Sequence, residues 1–276
     1  MSLVSVDSQK CIKCGMCAQV CPVPVLCMDQ ATGFPAVIKQ MRRFCIDCGH
    51  CVAVCPKAAI TRGSLSPDTC PLIDQELIPT PQQIDLFLKS RRSIRKFKQQ
   101  ELCNYQIQEI LDVAAYAPSG KNTMPLEWKV INDLSVMKEL GSMSIEWAKD
   151  LIEKEDPLAR AMFLKGVIKE AENGSDPILR GAPTLIMVHA DPKHVFAQSS
   201  AYISLTYLEL AAHSHGLGTC WAGFFQMAAQ TWQPIKEKIN LSDGREIIGA
   251  MLLGKPAYKY IRIPRRPLKV EYIGNV

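Results

Sequence analysis

Two stretches, CIKCGMCAQVCP at residues 11–22 and CIDCGHCVAVCP at residues 45–56, share one spacing of four cysteines followed by a proline. A tight turn that carries three thiolates, joined by a fourth from a distance, matches the corners of a cubane iron–sulfur cluster. The spacing C-x2-C-x2-C-x3-C-P is the bacterial two-cluster signature. The sequence therefore predicts a domain that handles single electrons.

The fourth cysteine of each run ligates the cluster of the other run in such domains, because it cannot close on its own three partners. Pro22 and Pro56 end short helices, while Gly15 and Gly49 let backbone amides approach the cluster. We therefore predict two 4Fe-4S clusters, one held by Cys11, Cys14, Cys17 and Cys55 and the other by Cys45, Cys48, Cys51 and Cys21.

Two other uses of these cysteines are less consistent with the pattern. Paired C-x2-C spacings also bind structural zinc, but zinc does not need the third and fourth cysteines at this spacing or a second copy of the run. Disulfides are disfavoured because the N-terminus lacks a signal-peptide pattern, and we expect a reducing cytoplasm to keep the thiols free. Four cysteines lie outside the runs and are interpreted as buried thiols: Cys27, Cys70, Cys103 and Cys220.

Composition excludes several classes of protein. At 276 residues with 47% hydrophobic content, the chain is expected to form two folded domains. Its longest apolar runs, such as residues 246–253, are far shorter than the roughly 20 residues of a membrane span. The net charge of +5 is mild, and the basic residues concentrate in residues 255–269, so no nucleic-acid partner is expected and a bound phosphate group explains the cluster better.

The chain divides into two domains around a linker. The cysteine runs begin 34 residues apart and form an internal repeat, so residues 1–63 are predicted to be a two-cluster domain with two related halves. Residues 64–79 contain three prolines without periodicity and are interpreted as a linker. Residues 80–276 form the second predicted domain.

The second domain is predicted to begin with a capped helix. Thr80 can cap it, Pro81 suits its first position, and Gln83 can complete a capping box. Its buried stripe is expected to be Ile84, Phe87 and Leu88. Further along, periodicity predicts a helix after Asn104, strands at 128–132, 183–190 and 247–253, two charged helices in 134–172 and an almost wholly apolar helix at 201–212.

Four further motifs follow in order: RRSIRKF at 91–97, APSGKN at 117–122, YLELAAHSHGLGTCWAGFF at 207–225 and LLGKPAYKYIRIPRRP at 252–267. Each is weak alone, since charge runs are usually solvated faces. Together with the cysteine runs they resemble the nitroreductase family of flavoproteins, specifically its members with an N-terminal ferredoxin domain. The resemblance covers essentially the whole chain.

The resemblance implies an α+β fold, a mainly antiparallel sheet flanked by helices, with FMN at the interface of a homodimer. Arg91 and Ser93 would meet the phosphate and ribityl chain, and Arg95 the pyrimidine edge, where a guanidinium stabilises the charge of the reduced ring. Backbone amides of the turn 221–224 would face flavin N5, although many relatives have a glutamate there and this chain does not. The matching positions are Arg91, Arg92, Ser93, Arg95, Pro118, Ser119, Asn122, Ala222, Gly223, Phe224, Arg262 and Arg265.

Some candidates are discounted. Local alignment does not separate Arg262 and Arg265 from Lys259 or Arg266 as phosphate ligands, and the basic tail could instead pack on the dimer mate. His213 and His215 are interpreted as helix-capping residues, and Cys220 as a packing residue. No G-x-G-x-x-G opens a helix after a strand, so a built-in nicotinamide-binding domain is not expected.

We therefore expect a cytoplasmic oxidoreductase in which a ferredoxin or another low-potential donor supplies electrons to two clusters, then FMN, then an electron-poor small molecule such as a nitroaromatic or quinone. The same cofactors would also serve reductive dehalogenation or enone reduction of a specific metabolite. A third alternative is a non-enzymatic electron-transfer module. Residues 134–175, which could form a lid or simply pack on the core, carry no sequence signal that separates these alternatives.

Overall fold

A computed structural model describes residues 3–274. The chain forms two compact units, one of Met1–Pro79 with Gly120–Thr123, and one of Thr80–Ser119 with Met124–Val276. Within residues 3–274, none of the helices is both long and apolar enough to cross a membrane.

The first unit contains two similar halves. Its elements are β1 (Val4–Val6), α1 (Met16–Gln19), β2 (Leu26–Met28), β3 (Pro35–Val37), α2 (His50–Ala53) and β4 (Ile60–Arg62). Strand β1 pairs with β4, and β2 pairs with β3, both antiparallel. Only a small apolar core lies between them, centred on Cys17, Leu26 and Ile60.

The two halves repeat in backbone conformation as well as in sequence. Gly15 and Gly49 precede α1 and α2 with φ of 77° and 72°, a left-handed conformation that glycine adopts without a Cβ clash. Lys13 and Asp47, each between the first two cysteines of a run, have φ of 57° and 56°. The cysteine loops therefore turn in the same way in both halves.

The segment after β4 contains little regular structure. Two short 3-10 turns lie at Pro67–Thr69 and Gln75–Leu77, and Leu72 and Ile73 between them are exposed.

The second unit is built on a four-stranded antiparallel sheet. Its elements are α3 (Pro81–Ser90), α4 (Asn104–Ala114), β5 (Glu127–Ile131), α5 (Leu134–Glu153), α6 (Pro157–Ala161), α7 (Leu164–Glu172), β6 (Thr184–Ala190), α8 (Ala197–Ser214), β7 (Gly218–Trp221), α9 (Gly223–Thr231), α10 (Gln233–Ile239) and β8 (Glu246–Gly254). The strand order is β5-β6-β8-β7, and every neighbouring pair is antiparallel.

Helices cover both faces of this sheet. Successive side chains of a strand point to opposite faces, so β6 contributes Ile186 and Val188 to a core with α4 and α8. The alternate residues Leu185 and Met187 enter a second core with α5, α9 and α10. Strand β6 is buried along its whole length, as its apolar sequence predicts.

Helix α3 begins as predicted but does not bury its predicted stripe. The Thr80 amide donates to Gln83 Oε1 at 2.8 Å, and the Gln83 amide donates to Thr80 Oγ1 at 3.3 Å, which completes the capping box. Phe87 is half-buried, but Ile84 and Leu88 are 39% and 47% exposed, so the expected buried stripe is wrong for a single chain. Amphipathic spacing identifies an apolar face but not what covers it.

Candidate functional site

The eight cysteines of the two runs line two cavities in the first unit. One cavity is lined by Cys11, Cys14, Cys17 and Cys55. The other is lined by Cys45, Cys48, Cys51 and Cys21. Each cavity therefore combines three cysteines of one run with the fourth of the other, as the ligand assignment predicts. We call them the Cys11 site and the Cys45 site.

The local fold positions these thiols. In each half, the left-handed glycine starts a short helix whose first turn carries the third cysteine, and the following proline directs the fourth cysteine to the other half. Burial raises the pKa of the Cys17 and Cys51 thiols. Iron binding would overcome this effect, because a metal-bound cysteine is a thiolate.

Hydrogen bonds to sulfur differ between the two sites. At the Cys11 site, the Ala59 amide donates to Cys55 Sγ at 3.3 Å. At the Cys45 site, Arg62 Nε donates to Cys45 Sγ at 3.3 Å. The donor set of four sulfurs around a cavity, with N–H donors aimed at sulfur, fits a 4Fe-4S cluster at each site. Among residues 3–274, no group of three or more His, Cys, Asp or Glu side chains is suited to a single metal ion.

A third cavity, of about 360 Å³, lies in the second unit where α3, α8 and β7 meet. We call it the Arg91 cavity. Its lining includes Arg91 and Arg92 of the predicted flavin residues, and also Glu209, His213 and Lys259. The complete lining is Ser90, Arg91, Arg92, Ile94, Glu209, His213, Gly216, Leu217, Gly218, Thr219, Pro256, Tyr258, Lys259 and Tyr260.

An ion pair fixes the side chain of Arg91. Its Nη1 lies 2.9 Å from Glu209 Oε1, and the two side chains are 20% and 9% exposed. Thr219 Oγ1 donates to the same carboxylate oxygen at 3.2 Å. Because α8 supplies Glu209 and β7 supplies Thr219, three separate segments hold one guanidinium at the wall of the cavity.

A histidine continues this polar wall. His213 Nε2 lies 3.0 Å from Ser90 Oγ, and its ring lies 4.9 Å from that of Phe87 at 33°. Burial, followed by the charge of Arg91, lowers the pKa of His213. The predicted helix-capping role is not observed, since the ring contacts α3.

The predicted segments 91–97 and 221–224 are brought together by β7. Ser93 bridges Thr219 in parallel, and the Ile94 amide donates to the Thr219 carbonyl at 2.7 Å. Gly218 is required here, because a Cβ added to it would lie 2.2 Å from Ile94 Cγ1. Strand β7 then leads directly into the turn at Ala222 and the start of α9.

The start of α9 presents backbone amides. No side chain caps this end, and Gly223 at its first position is exposed with open space beside it. The first N–H groups of a helix have no partner within the helix, so those of Gly223 and Phe224 are available to a ligand. Ala222 is buried, and its own amide donates to the Ala250 carbonyl at 2.9 Å.

Other predicted flavin residues are exposed or form hydrogen bonds with nearby backbone groups. Arg92 Nη1 donates to the carbonyls of Lys89 and Arg91, at 2.9 and 2.6 Å, and so closes the end of α3. Arg95 is exposed. Pro118 is exposed, and Ser119 Oγ accepts from the Met124 amide at 3.0 Å.

The tail arginines do not line the Arg91 cavity. Arg262 and Arg265 lie in an exposed segment without regular structure, whereas Lys259 reaches the lining. The structure thus separates Lys259 from the two arginines, which the sequence could not.

Asn122 belongs to the first unit. Its Nδ2 donates to the carbonyls of Ile46 and Asp47, at 3.2 and 3.1 Å, on the loop between Cys45 and Cys48. Lys121, Asn122 and Met124 all have positive φ, between 43° and 54°, which is uncommon for residues with a Cβ. Asn122 is thus anchored to the Cys45 site.

Sequence reasoning missed Glu209 as a site residue and misassigned His213. A carboxylate within an otherwise apolar helix is the signal that could have identified Glu209, because a buried charge requires a partner. Cys220 is buried as expected, and burial raises the pKa of its thiol against the opposing charges of Arg180 and Arg95. Cys103, in contrast, is exposed, so its interpretation as a buried thiol is wrong.

The fold and sites define an oxidoreductase with an iron–sulfur domain, and two matches agree. Residues 10–60 match a 4Fe-4S dicluster domain. Residues 88–255, more than half of the chain, match the nitroreductase family, so this chain belongs to that family. The predicted family, α+β fold and enzyme class are confirmed.

Individual relatives are distant. The chain is 21% identical over 184 residues to an iodotyrosine deiodinase of Thermotoga neapolitana, covering 67% of this chain and 94% of the relative. It is 26% identical over 204 residues to a nitrobenzene nitroreductase of Ectopseudomonas oleovorans, covering 64% and 88%. A solved nitroreductase with bound FMN from Bacteroides fragilis superposes with a TM-score of 0.57 at 21% identity, covering 71% of this chain and all of that one. At this identity the superposition shows a shared fold.

Proposed function

We propose that this protein takes single electrons from a low-potential donor such as ferredoxin into two 4Fe-4S clusters and passes them to FMN, which reduces an electron-poor organic acceptor by hydride transfer. The observation that carries the proposal is the presence in one chain of two four-cysteine cavities and the Arg91 cavity. Twelve cysteines without disulfide partners suit the reducing cytoplasm, where we place the reaction.

The residues of the Arg91 cavity fit an FMN. Arg91 offers a fixed guanidinium to a phosphate or to the negative edge of a reduced ring, and Glu209 restricts its position. Lys259 adds a third cation to the lining, beside Arg91 and Arg92. Free amides at the start of α9 suit the ring nitrogen from which hydride leaves. The Bacteroides fragilis nitroreductase, which shares the fold, has bound FMN, and this supports FMN as the cofactor.

When bound, FMN supplies the conversion between one-electron and two-electron chemistry. The protein orients the ring and provides the charges around it, so a serine–histidine–aspartate arrangement is not needed. Ser93, joined to β7, is proposed to contact the ribityl chain, and Ser119 the polar rim of the ring. Arg262 and Arg265 remain candidates for the phosphate.

We further propose a homodimer with FMN at the interface. The second unit exposes apolar side chains on α3 and α8, among them Leu86 at 63% and Tyr202 at 44%, and along the tail, where Leu268 is 85% exposed. Exposed apolar groups on this scale mark interaction surfaces. A second copy would bury the α3 face that the single chain leaves uncovered.

Two classes of acceptor have support among the relatives. The nitrobenzene nitroreductase favours a nitroaromatic acceptor, while the iodotyrosine deiodinase favours reductive removal of a halide from a phenol. Nitroaromatic or quinone reduction remains our main proposal, because an open flavin face suffices for it.

The test is anaerobic. Protein reconstituted with iron, sulfide and FMN should bind about eight irons, four for each cluster, and one flavin per chain. After reduction by dithionite or reduced ferredoxin, addition of nitrobenzene should reoxidise the flavin, while addition of an iodophenol tests dehalogenation by iodide release.

Cys14→Ser should abolish ferredoxin-dependent turnover, because it removes a ligand of the Cys11 site. Cys103→Ser is the matched control, since both thiols are exposed but Cys14 lines the Cys11 site and Cys103 does not. Reconstituted protein without bound FMN, or equal activity of the two variants, contradicts the proposal.

A further inference from the structure

The two cluster sites are related by the internal repeat, but they differ in charge. Arg62, the last residue of β4, occupies the repeat position of Met28, the last residue of β2. Asp47 occupies the repeat position of Lys13, with the same left-handed backbone. The substitutions place an arginine and its carboxylate partner at the Cys45 site only.

Arg62 is held against a predicted cluster ligand. Its Nε donates to Cys45 Sγ at 3.3 Å, and its Nη2 lies 3.3 Å from Asp47 Oδ1. The Arg62 side chain is 14% exposed, whereas that of Asp47 is 57% exposed. The positive charge is therefore poorly screened and close to sulfur, while the negative charge is largely in solvent.

The Cys11 site lacks such a cation on its ligands in the described part of the chain. Met28 packs beside Gly15, so that an added Cβ there would lie 3.8 Å from the methionine sulfur. Lys13 Nζ is directed to the Thr32 carbonyl at 2.7 Å and lies 4.3 Å from the Phe34 ring centroid. Lys57 lines the cavity but is exposed, so solvent screens its charge.

We propose that Arg62 is a positioning residue that acts through Cys45 to make the cluster of the Cys45 site easier to reduce than that of the Cys11 site. This rests on the two-cluster part of the proposed function. Reduction adds one negative charge to a cluster, and a nearby cation or N–H donor stabilises that charge and raises the reduction potential. With both clusters bound, one electron would move from the reduced Cys11 cluster to the oxidised Cys45 cluster, with no proton transferred and no bond broken.

The Cys45 site is thus the acceptor end of the pair. Asn122 donates to two carbonyls of the loop between Cys45 and Cys48.

The test is a redox titration of the anaerobically reconstituted full chain, followed by electron paramagnetic resonance of the reduced clusters. Arg62→Met introduces the residue that stands at the repeat position, Met28. In this variant the reduction potential of the higher-potential step should decrease. Hydrogen bonds to charged groups contribute about 1.5–3 kcal/mol, so the ratio of reduced to oxidised cluster at a fixed potential should fall about tenfold or more. Tenfold corresponds to about 59 mV for one electron.

Two variants separate the causes. Lys57→Met removes one positive charge from the Cys11 site and, like Arg62→Met, leaves a methionine. Because solvent screens the Lys57 charge, the ratio of reduced to oxidised cluster at a fixed potential should change by no more than about twofold in either step. Arg62→Lys keeps the charge but loses the fixed Nε–H donor, and it should shift the same step less than Arg62→Met.

The proposal is overturned if Arg62→Met leaves both steps unchanged, moves both equally or moves the lower-potential step. If Arg62→Met does not retain its iron, the same titration of Arg62→Lys is used, and the proposal is overturned unless the higher-potential step alone shifts to lower potential. Since the readout is cluster reduction without any acceptor, loss of nitroaromatic turnover does not affect it. The inference and the proposed function can therefore fail independently.

Discussion

The two units of this protein are stabilised in different ways. The first unit buries few apolar side chains, and its small core includes a predicted ligand, Cys17. The second unit has two continuous apolar cores on the two faces of one sheet. The strands and α-helices of the first unit lie within residues 4–62, and domains below about 70–80 residues rarely fold on an apolar core alone and often use a metal. The first unit should therefore depend on its cofactors for folding, and the second on side-chain packing.

Removing iron should have the largest effect and should affect only the first unit. Because binding energy at a structural metal site is folding energy, an anaerobic chelator should unfold the first unit and expose it to proteolysis. All four tryptophans, Trp128, Trp147, Trp221 and Trp232, lie in the second unit. The denaturation midpoint of their fluorescence should stay unchanged.

A shift of the tryptophan midpoint on iron removal would show that the second unit also depends on the clusters, which would break the comparison. If the first unit resisted proteolysis without iron, the claim that it depends on its clusters for folding would be wrong.

A cavity in the second core should give the converse result. Leu205 on α8 is fully buried and lies against Gly249 of β8. Leu205→Ala should destabilise the second unit by about 2–5 kcal/mol, measured from the tryptophan transition in denaturant. The iron–sulfur absorbance at low denaturant should not change.

Leu72→Ala is the matched control, since this leucine is 97% exposed in the first unit and should cost less than about 0.5 kcal/mol. Loss of iron in Leu205→Ala would contradict the independence of the two units.

The two units also differ in how well the sequence predicts their sites. The cysteine ligands lie within two short runs, and their spacing alone predicts which four line each cavity. Arg91 and Glu209 are 118 residues apart, and only the packing of α8 against the end of α3 joins them. Apolar periodicity predicted β5, β6 and β8 and several of the helices, but not β7. It also did not predict the uncovered face of α3, because periodicity does not distinguish a core from an interface.

The Arg91–Glu209 pair tests this nonlocal site. Arg91→Met leaves a buried carboxylate without its charged partner, and breaking such a pair costs about 3 kcal/mol. The double variant Arg91→Met with Glu209→Gln should recover part of that loss, because the remaining group is neutral. The tryptophan transition measures both, and FMN content should fall in each variant.

Equal destabilisation by the single and double variants would show that the pair contributes little to the second unit. Full FMN content in Arg91→Met would contradict the proposal that the Arg91 guanidinium contacts FMN.

The smallest expected effect is a pH dependence confined to the second unit. Burial, followed by the charge of Arg91, lowers the pKa of His213, while the Phe87 carbonyl and Glu209 act in the opposite direction. The unfolded chain, with a histidine pKa of about 6.5, then binds a proton more readily than the native state. The contribution of His213 to the free energy of unfolding is therefore fully present above about pH 6.5 and decreases as the pH falls below that value. His189 has a pKa lowered by burial and by Lys129, so it adds a similar dependence.

His213→Gln should retain only the contribution of His189, and the tryptophan midpoint between pH 7.5 and 5.5 should fall less steeply than in the unaltered protein. An identical slope in both would mean that His213 has the same proton affinity in the native and unfolded states, and that the polar wall beside Arg91 does not disfavour its charged form.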